Sequence, residues 1–352
     1  LGQHIVVQGG TFLNDAVLRS FEREIGREVT RPTISGIMGA YGAALAAKEA
    51  GLERSTLLSP EALATFTHEA KPATCKLCTN HCSLTINRFD GGRKFISGNR
   101  CSRPLGQEKV EIPDLMKFKY EYLRTLQGKG TGDGSRGRIG LPFGLNMYEN
   151  LPFWYTLFTE LNFEVVLSPE SSRKLYLKGQ HTIPSDTVCY PAKLLHGHVE
   201  ALVEEGVDAI FYPCMPYNFD EGVSDNNYNC PVVAYYPELL AANVPDLKKT
   251  RFLYPYFGLH RPKDFEHKAS EWFFNEFQIP KRETVAAVKA AYAAYDAYKE
   301  DLRARGREYI AQARAEGRPI LVVAGRPYHM DPEINHGIND LITSYGFVLV
   351  TE

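Results

Sequence analysis

Long apolar runs are missing from this chain, and so is any marked excess of one charge. No stretch approaches the roughly 20 consecutive apolar residues that a membrane-spanning helix needs. A formal net charge of −2 leaves no electrostatic footprint for nucleic acid or an anionic membrane. No secretory leader opens the sequence, and no internal repeat stands out. The seven cysteines are an odd number, which argues against a disulfide framework. These absences read together as a cytoplasmic, reduced protein whose partners include neither nucleic acid nor membrane. What remains is ordinary globular composition, 44% hydrophobic and 23% charged over 352 residues, with room for two or three domains.

Both ends read as cuts through larger structure. Leu1-Gly2-Gln3-His4 leads straight into a strand-like Ile5-Val6-Val7, and Gly346-Phe347-Val348-Leu349-Val350 reads as a strand with nothing to close it. The expectation is a piece of a longer protein.

The cysteines form two groups. Cys75-x2-Cys78-x3-Cys82-x18-Cys101 is a compact quartet with a CxxC knuckle. Four soft thiolates at this spacing suit one metal site, either structural zinc or an iron–sulfur cluster, and spacing does not choose between them. His81 offers an alternative ligand. Cys189, Cys214 and Cys230 are dispersed, each close to a proline. Cys189 reads as lying just before a helix, Cys214 just after a strand, and Cys230 just before a strand at Val232–Tyr235. Brought to one rim of a parallel sheet, the three would suit a cluster with one iron left open. Ordinary buried cysteines are the plainer alternative.

Periodicity gives the frame. Strands are expected at Ile139–Leu141, Glu164–Leu167, Ala209–Tyr212, Phe252–Tyr254 and Ile320–Ala324. Helices are expected at Tyr148–Leu161, Ala192–Glu205, Asp264–Phe277, Thr284–Glu316 and Glu333–Thr343. Short apolar runs separated by helices are the mark of a parallel sheet covered on both faces. Before them come a turn at Gly9-Gly10, a helix from about Asn14 past Phe21, and a small-residue helix over Gly36–Ala44. Pro60–Pro72 reads as a linker with a short helix, and Lys109–Leu126 as a helix or hairpin. Gly128–Gly137, with five glycines in ten residues, reads as an exposed, flexible joint. His196 and His198 are two apart on one helix and so on different faces, and they read as surface histidines. Gly325-Arg326-Pro327-Tyr328-His329 follows a strand, and Arg326 with His329 could hold an anion there.

At these residues the chain resembles a known family. Val6-Val7-Gln8-Gly9-Gly10-Thr11-Phe12-Leu13-Asn14 with Gly39-Ala40-Tyr41-Gly42-Ala43-Ala44 resembles the last segment of acyl-CoA dehydratase activases. Those ATPases energise 2-hydroxyacyl-CoA dehydratases and benzoyl-CoA reductases and share the fold of actin and hexokinase. Cys189-Tyr190-Pro191-Ala192-Lys193, Tyr212-Pro213-Cys214-Met215-Pro216 and Gly325–His329 resemble the domain fused behind that ATPase in large activase-like proteins. That domain is similar to dehydratase iron–sulfur subunits and to double-cubane-cluster proteins.

The resemblance implies an α/β, parallel-sheet (Rossmann-like) dehydratase-type domain at 139–352. A glycine-rich linker at 128–138 and a Cys-rich metal-binding segment at 59–127 would precede it, behind the end of an actin-like ATPase domain at 1–58. It implies a [4Fe–4S] cluster on Cys189, Cys214 and Cys230, with Tyr190, Tyr212, Tyr217, Tyr235 and Tyr236 supplying burial and hydrogen bonds. Zinc or a second cluster would sit on Cys75, Cys78, Cys82 and Cys101. Gly9 and Gly10 would approach ATP or ADP only in company with the phosphate loops that this chain lacks, so no ATP hydrolysis by this chain alone is expected. Electron transfer toward a CoA-thioester dehydratase or reductase, or an activase partner, follows. The rivals are a zinc-stabilised docking module and an acyl-CoA-binding subunit with Arg326 on a CoA phosphate. A homo-oligomer is compatible with either.

Overall fold

A computed structural model describes residues 2–51, 57–77, 81–99, 103–106, 111–128 and 132–351. The chain divides into two compact units, one made of Leu1–His68 with Phe89–Gly92 and the other of Glu69–Arg88 with Arg93–Glu352.

The smaller unit carries helices α1 (Asp15–Ile25), α2 (Met38–Glu49) and α3 (Pro60–Ala64). Asn14 caps α1 by accepting from the Ala16 amide at 2.9 Å, and Gly26 closes it in the left-handed conformation at φ 66°. The strand expected at Ile5–Val7 reduces to a single bridge between Val6 and Thr30. In α2 no residue is buried, and nothing lies within 4 Å of a side chain built at Gly39 or Gly42. Within this unit, then, the small residues meet no close neighbour.

The larger unit begins in a hairpin sheet of order β1-β2-β3, formed by His68–Thr74, Ser83–Phe89 and Lys94–Ser97. Helix α4 (Leu115–Arg124) follows, and then the main α/β body. Its sheet holds β4 (Arg138–Leu141), β5 (Glu164–Leu167), β6 (Ala209–Phe211) and β7 (Arg251–Leu253) in the order β5-β4-β6-β7, all parallel. Between them run α5 (Met147–Glu160), α6 (Arg173–Gly179), α7 (Tyr190–Glu204) and α8 (Pro231–Asn243). After β7 come α9 (Pro262–Phe277) and the 35-residue α10 (Lys281–Ala315). A second parallel pair, β8 (Ile320–Val323) with β9 (Val348–Thr351), encloses the short α11 (Pro332–Asn335) and α12 (Ile338–Ser344). The fold is a mixed α/β one built on a parallel four-stranded sheet. No described helix is long and apolar enough to cross a membrane.

Packing explains the layers. Helices α5, α9 and α10 pack together, and α6, α7 and α8 pack together. Trp154 on α5 is fully buried and meets Phe153, Phe211 and Phe265 with ring centroids 5.0, 5.0 and 5.8 Å away. Burying each such phenylalanine contributes roughly 1.5–3 kcal/mol, so this aromatic block is a main source of stability.

Three expectations are corrected. Val232–Tyr235 is not a strand but part of α8. Its buried residues Ala234, Tyr236, Pro237 and Leu240 recur at helical spacing, and the β-branched run with an internal proline disguised this. The helix expected at Glu333–Thr343 breaks in two at His336 and Gly337, both left-handed, at φ 52° and 73°. The described part of the glycine run, Gly128 and 132–137, is not a free coil. The Arg136 amide donates to the Asn162 carbonyl at 3.3 Å, and the Glu164 amide donates to the Gly137 carbonyl at 3.0 Å. A side chain on Gly132 would come within 2.4 Å of the Phe163 carbonyl oxygen. At Gly132 and Gly137 glycine allows close approach.

Closest of all is the meeting of α6 and α7. A Cβ added to Gly197 would stand 2.0 Å from the Leu175 carbonyl oxygen, and one on Gly179 would stand 2.2 Å from the Gly197 nitrogen. Both obstacles are backbone, so neither helix can yield locally. Gly197→Ala should therefore destabilise the protein by at least about 2 kcal/mol in urea titration. Gly39→Ala in α2, where the space is open, should raise helix stability by roughly 0.5–1 kcal/mol.

Candidate functional site

In a sheet of order β5-β4-β6-β7 the chain leaves β4 first to one side and then to the other, so the switch point lies between β4 and β6. Ligands in open parallel sheets bind outside the carboxyl ends of the strands at such a point. Cys214 lies there, three residues past the end of β6, fully buried. Its backbone is pinned beside β7: its amide donates to the Pro255 carbonyl at 2.9 Å, and its carbonyl accepts from the Phe257 amide at 3.0 Å.

The other two dispersed cysteines reach the same rim by another device. Helices α7 and α8 run back against the strands that follow them, so their amino ends lie at the carboxyl edge of the sheet. Cys189 is the N-cap of α7 and Cys230 the N-cap of α8, each followed by proline in the first turn. Cys230 is drawn back toward Cys214 through its neighbour. The Asn229 amide donates to the Pro216 carbonyl at 2.9 Å, and Asn229 Nδ2 donates to the Met215 carbonyl at 2.8 Å. A small bridge between Tyr217 and Tyr228 closes the intervening loop. Cys189 and Cys230 are exposed, and Cys214 is sealed below them.

Tyrosines fill the space among the thiols. Ionisation of Tyr212 is opposed first by its burial and then by Cys214, Tyr236 and Cys230. Ionisation of Tyr236 is opposed by burial and then by Cys189. For Tyr328 the causes are burial, then Cys189 and Cys230. Tyr328 belongs to the Gly325 loop, so that loop lies near Cys189 and Cys230. Burial pushes the Cys214 thiol up to about 11. Among the described residues, no three His, Cys, Asp or Glu side chains stand in position to hold a metal ion.

Histidines support this rim from below. His196 and His198 are fully buried, not on the surface, because α6 and α8 cover one side of α7 and the sheet covers the other. Thr182 Oγ1 donates to the Gly179 carbonyl at 2.8 Å, so at its 2.7 Å contact with His196 Nδ1 it accepts. His196 Nε2 is then the acceptor for the Tyr236 hydroxyl at 3.0 Å. Ser171 donates to Asp331 Oδ2 and so accepts from His198 Nε2 at 3.0 Å, while Ser168 donates to His198 Nδ1 at 2.7 Å. Tyr148 donates to the same Asp331 oxygen at 2.6 Å. Burial holds His196 down at about 4 and His198 at about 3, both neutral, and it raises the Asp331 carboxyl.

The remaining expected site residues fall elsewhere. The Arg326 amide donates to His329 Nδ1 at 3.0 Å, and Gly325 must be glycine because a Cβ there would stand 2.4 Å from that nitrogen. Arg326 and His329 line a small cavity with Lys119, Met116, Met330 and Thr351 beside the ends of β8 and β9. In the quartet, the Cys75 amide donates to the Cys82 carbonyl at 2.9 Å, closing the knuckle at the hairpin tip, and Cys75 packs on Leu84 and Ile96. Cys78 and Cys101 lie outside the described residues. In the smaller unit, Gly9 takes φ 97°, and its amide donates to the Ser35 carbonyl at 2.8 Å, with Gly10 opening a short 3-10 turn. Sequence reading missed Tyr328 and Asn229 as members of the rim. Their only signals were membership of the Gly325 motif and adjacency to Cys230.

Scanned against models of known families, residues 138–352 match one described as the CoA enzyme activase uncharacterised domain. That match begins at β4 and takes in the whole rim. No curated protein and no solved structure matches the chain significantly.

A fully buried neutral histidine makes a signed prediction. The folded-state value of His198, about 3, lies below its ordinary 6.5. Between these values the unfolded chain binds the proton and the folded chain does not. Stability is therefore lost as pH falls from about 6.5 toward 3, by up to about 1.4 kcal/mol per pH unit. His198→Gln should flatten that part of the urea-midpoint profile while lowering stability at pH 7.

Proposed function

This chain belongs to the family described as the CoA enzyme activase uncharacterised domain, and from that premise we propose that it is an iron–sulfur electron-transfer module for activating a CoA-dependent enzyme. The observation that carries this reading is the gathering of Cys189, Cys214 and Cys230 on one rim at the sheet's switch point. The donor set suits such a group by its chemistry. Three thiols are soft ligands, two helix amino ends favour the negative charge of a thiolate-bound cluster, and a buried hydroxyl, that of Tyr212, has no partner among the described residues. A bound [4Fe–4S] cluster would supply low-potential, one-electron chemistry. The chain's own residues would hold it, limit water on the Cys214 side and leave the Cys189–Cys230 side open to a partner. That partner would be a CoA-thioester dehydratase or reductase, energised by ATP bound to an actin-like domain of which the smaller unit would be a part. The quartet would hold zinc or a second cluster and so staple the hairpin, whose buried apolar residues, among those described, are Cys75, Leu84 and Ile96.

Anaerobic reconstitution with iron and sulfide tests this. Cys189→Ser, Cys214→Ser and Cys230→Ser should each lose most of the visible absorption of the rim cluster, whereas Cys75→Ser should spare it. Full iron uptake by all three rim variants would sink the reading.

A second reading draws on the small cavity that Arg326 and His329 line. It would take the phosphate of an acyl-CoA. Arg326→Ala should then weaken CoA-thioester binding at least tenfold by calorimetry, and unchanged binding would remove this role.

A further inference from the structure

We propose that Tyr212 is the hydrogen-bond donor that tunes the group held by Cys189, Cys214 and Cys230, its hydroxyl donating to a sulfur of that group. The inference rests on the cluster reading above and adds a specific residue to it.

Tyr212 leaves the end of β6 two residues before Cys214, and its amide donates to the Leu253 carbonyl at 2.9 Å, so its backbone cannot drift from the rim. Its side chain is 0% exposed, and among the described residues its hydroxyl has no hydrogen-bond partner. Buried hydroxyls are rarely left so, because the lost hydration is not replaced.

The other tyrosines around the thiols do not share this state. Tyr236 gives its proton to His196, whose tautomer is fixed by Thr182. Tyr190 donates to Glu333 at 2.8 Å, and Tyr256 donates to Glu238 at 2.5 Å. Tyr328 is only half-buried and reaches water. Tyr212 alone among these five combines a sealed position with an uncommitted proton. The Cys214 amide donates to the Pro255 carbonyl at 2.9 Å just as that of Tyr212 does to Leu253, so the two residues are two apart in one extended run and their side chains share a face. A donor to cluster sulfur stabilises the reduced, more negative state and raises the reduction potential.

The test compares wild-type chain with Tyr212→Phe, both reconstituted anaerobically with iron and sulfide. Three quantities are read: iron and sulfide content, midpoint potential, and the melting temperature of the unloaded protein. Phenylalanine removes only an unpartnered oxygen, so the unloaded variant should melt no lower than wild type. With equal iron, the variant's potential should fall far enough to shift the reduced-to-oxidised ratio about tenfold, or 59 mV for a one-electron couple. Loss of iron from a normally melting variant would support the same role. A lower melting temperature without iron would mean that the hydroxyl already has a protein partner, and would overturn the proposal. An unchanged potential at equal iron would overturn it while leaving the cluster reading intact. No iron in the wild type would overturn both.

Discussion

One buried carboxylate ties the site-bearing part of the chain together. Asp331 accepts hydroxyl protons from Tyr148 on α5 and from Ser171 beyond β5, and it caps the α11 turn through the Glu333 amide at 2.8 Å. Through Ser171 it reaches His198 on α7, and through His198 it reaches Ser168 at the end of β5. Both helical layers and the C-terminal loop therefore meet at one polar point inside an otherwise apolar core. Such a network stabilises only when every member is satisfied, and here each proton has an assigned acceptor. The loop that carries Arg326, Tyr328 and His329 ends at this carboxylate, so its place beside the cysteines depends on that bond set.

Much of the frame was legible because periodicity and punctuation agreed. The strands from β4 to β8 and the helices α5, α7, α9 and α10 lie within a few residues of where apolar spacing put them. The family resemblance, carried by the cysteine–proline contexts and the Gly325 motif, is supported by the match that starts at β4. What failed was local chemistry that only tertiary contacts decide. Val232 and Val233 favour a strand by propensity, yet the side chains that α8 buries recur at helical spacing. His196 and His198 look solvated on a helical wheel, but a helix sandwiched between sheet and helices has no wet face. Gly132 and Gly137 look flexible in sequence, whereas neighbouring backbone and Asp208 press against them. No pattern in the sequence marks Tyr212 as unpartnered, because a hydroxyl's partner is a property of the folded interior.

Helix geometry, rather than strand geometry, sets the character of the rim. With Cys230 at a helix start instead of a strand start, two of the three thiols sit at N-caps where neither side chain takes part in capping. Proline in each first turn removes one amide that would otherwise need a partner. The sulfurs are thereby left for other chemistry while the amino-end dipoles still face the rim.

The unequal exposure of the three cysteines gives the rim a front and a back. Solvent, an oxidant or a docking protein meets Cys189 and Cys230 first, whereas Cys214 is met only from the interior. Anything anchored by all three is gripped from behind and addressed from ahead, so it has a single doorway. Traffic through such a site would be sequential: whatever delivers to it must leave before whatever collects from it can dock.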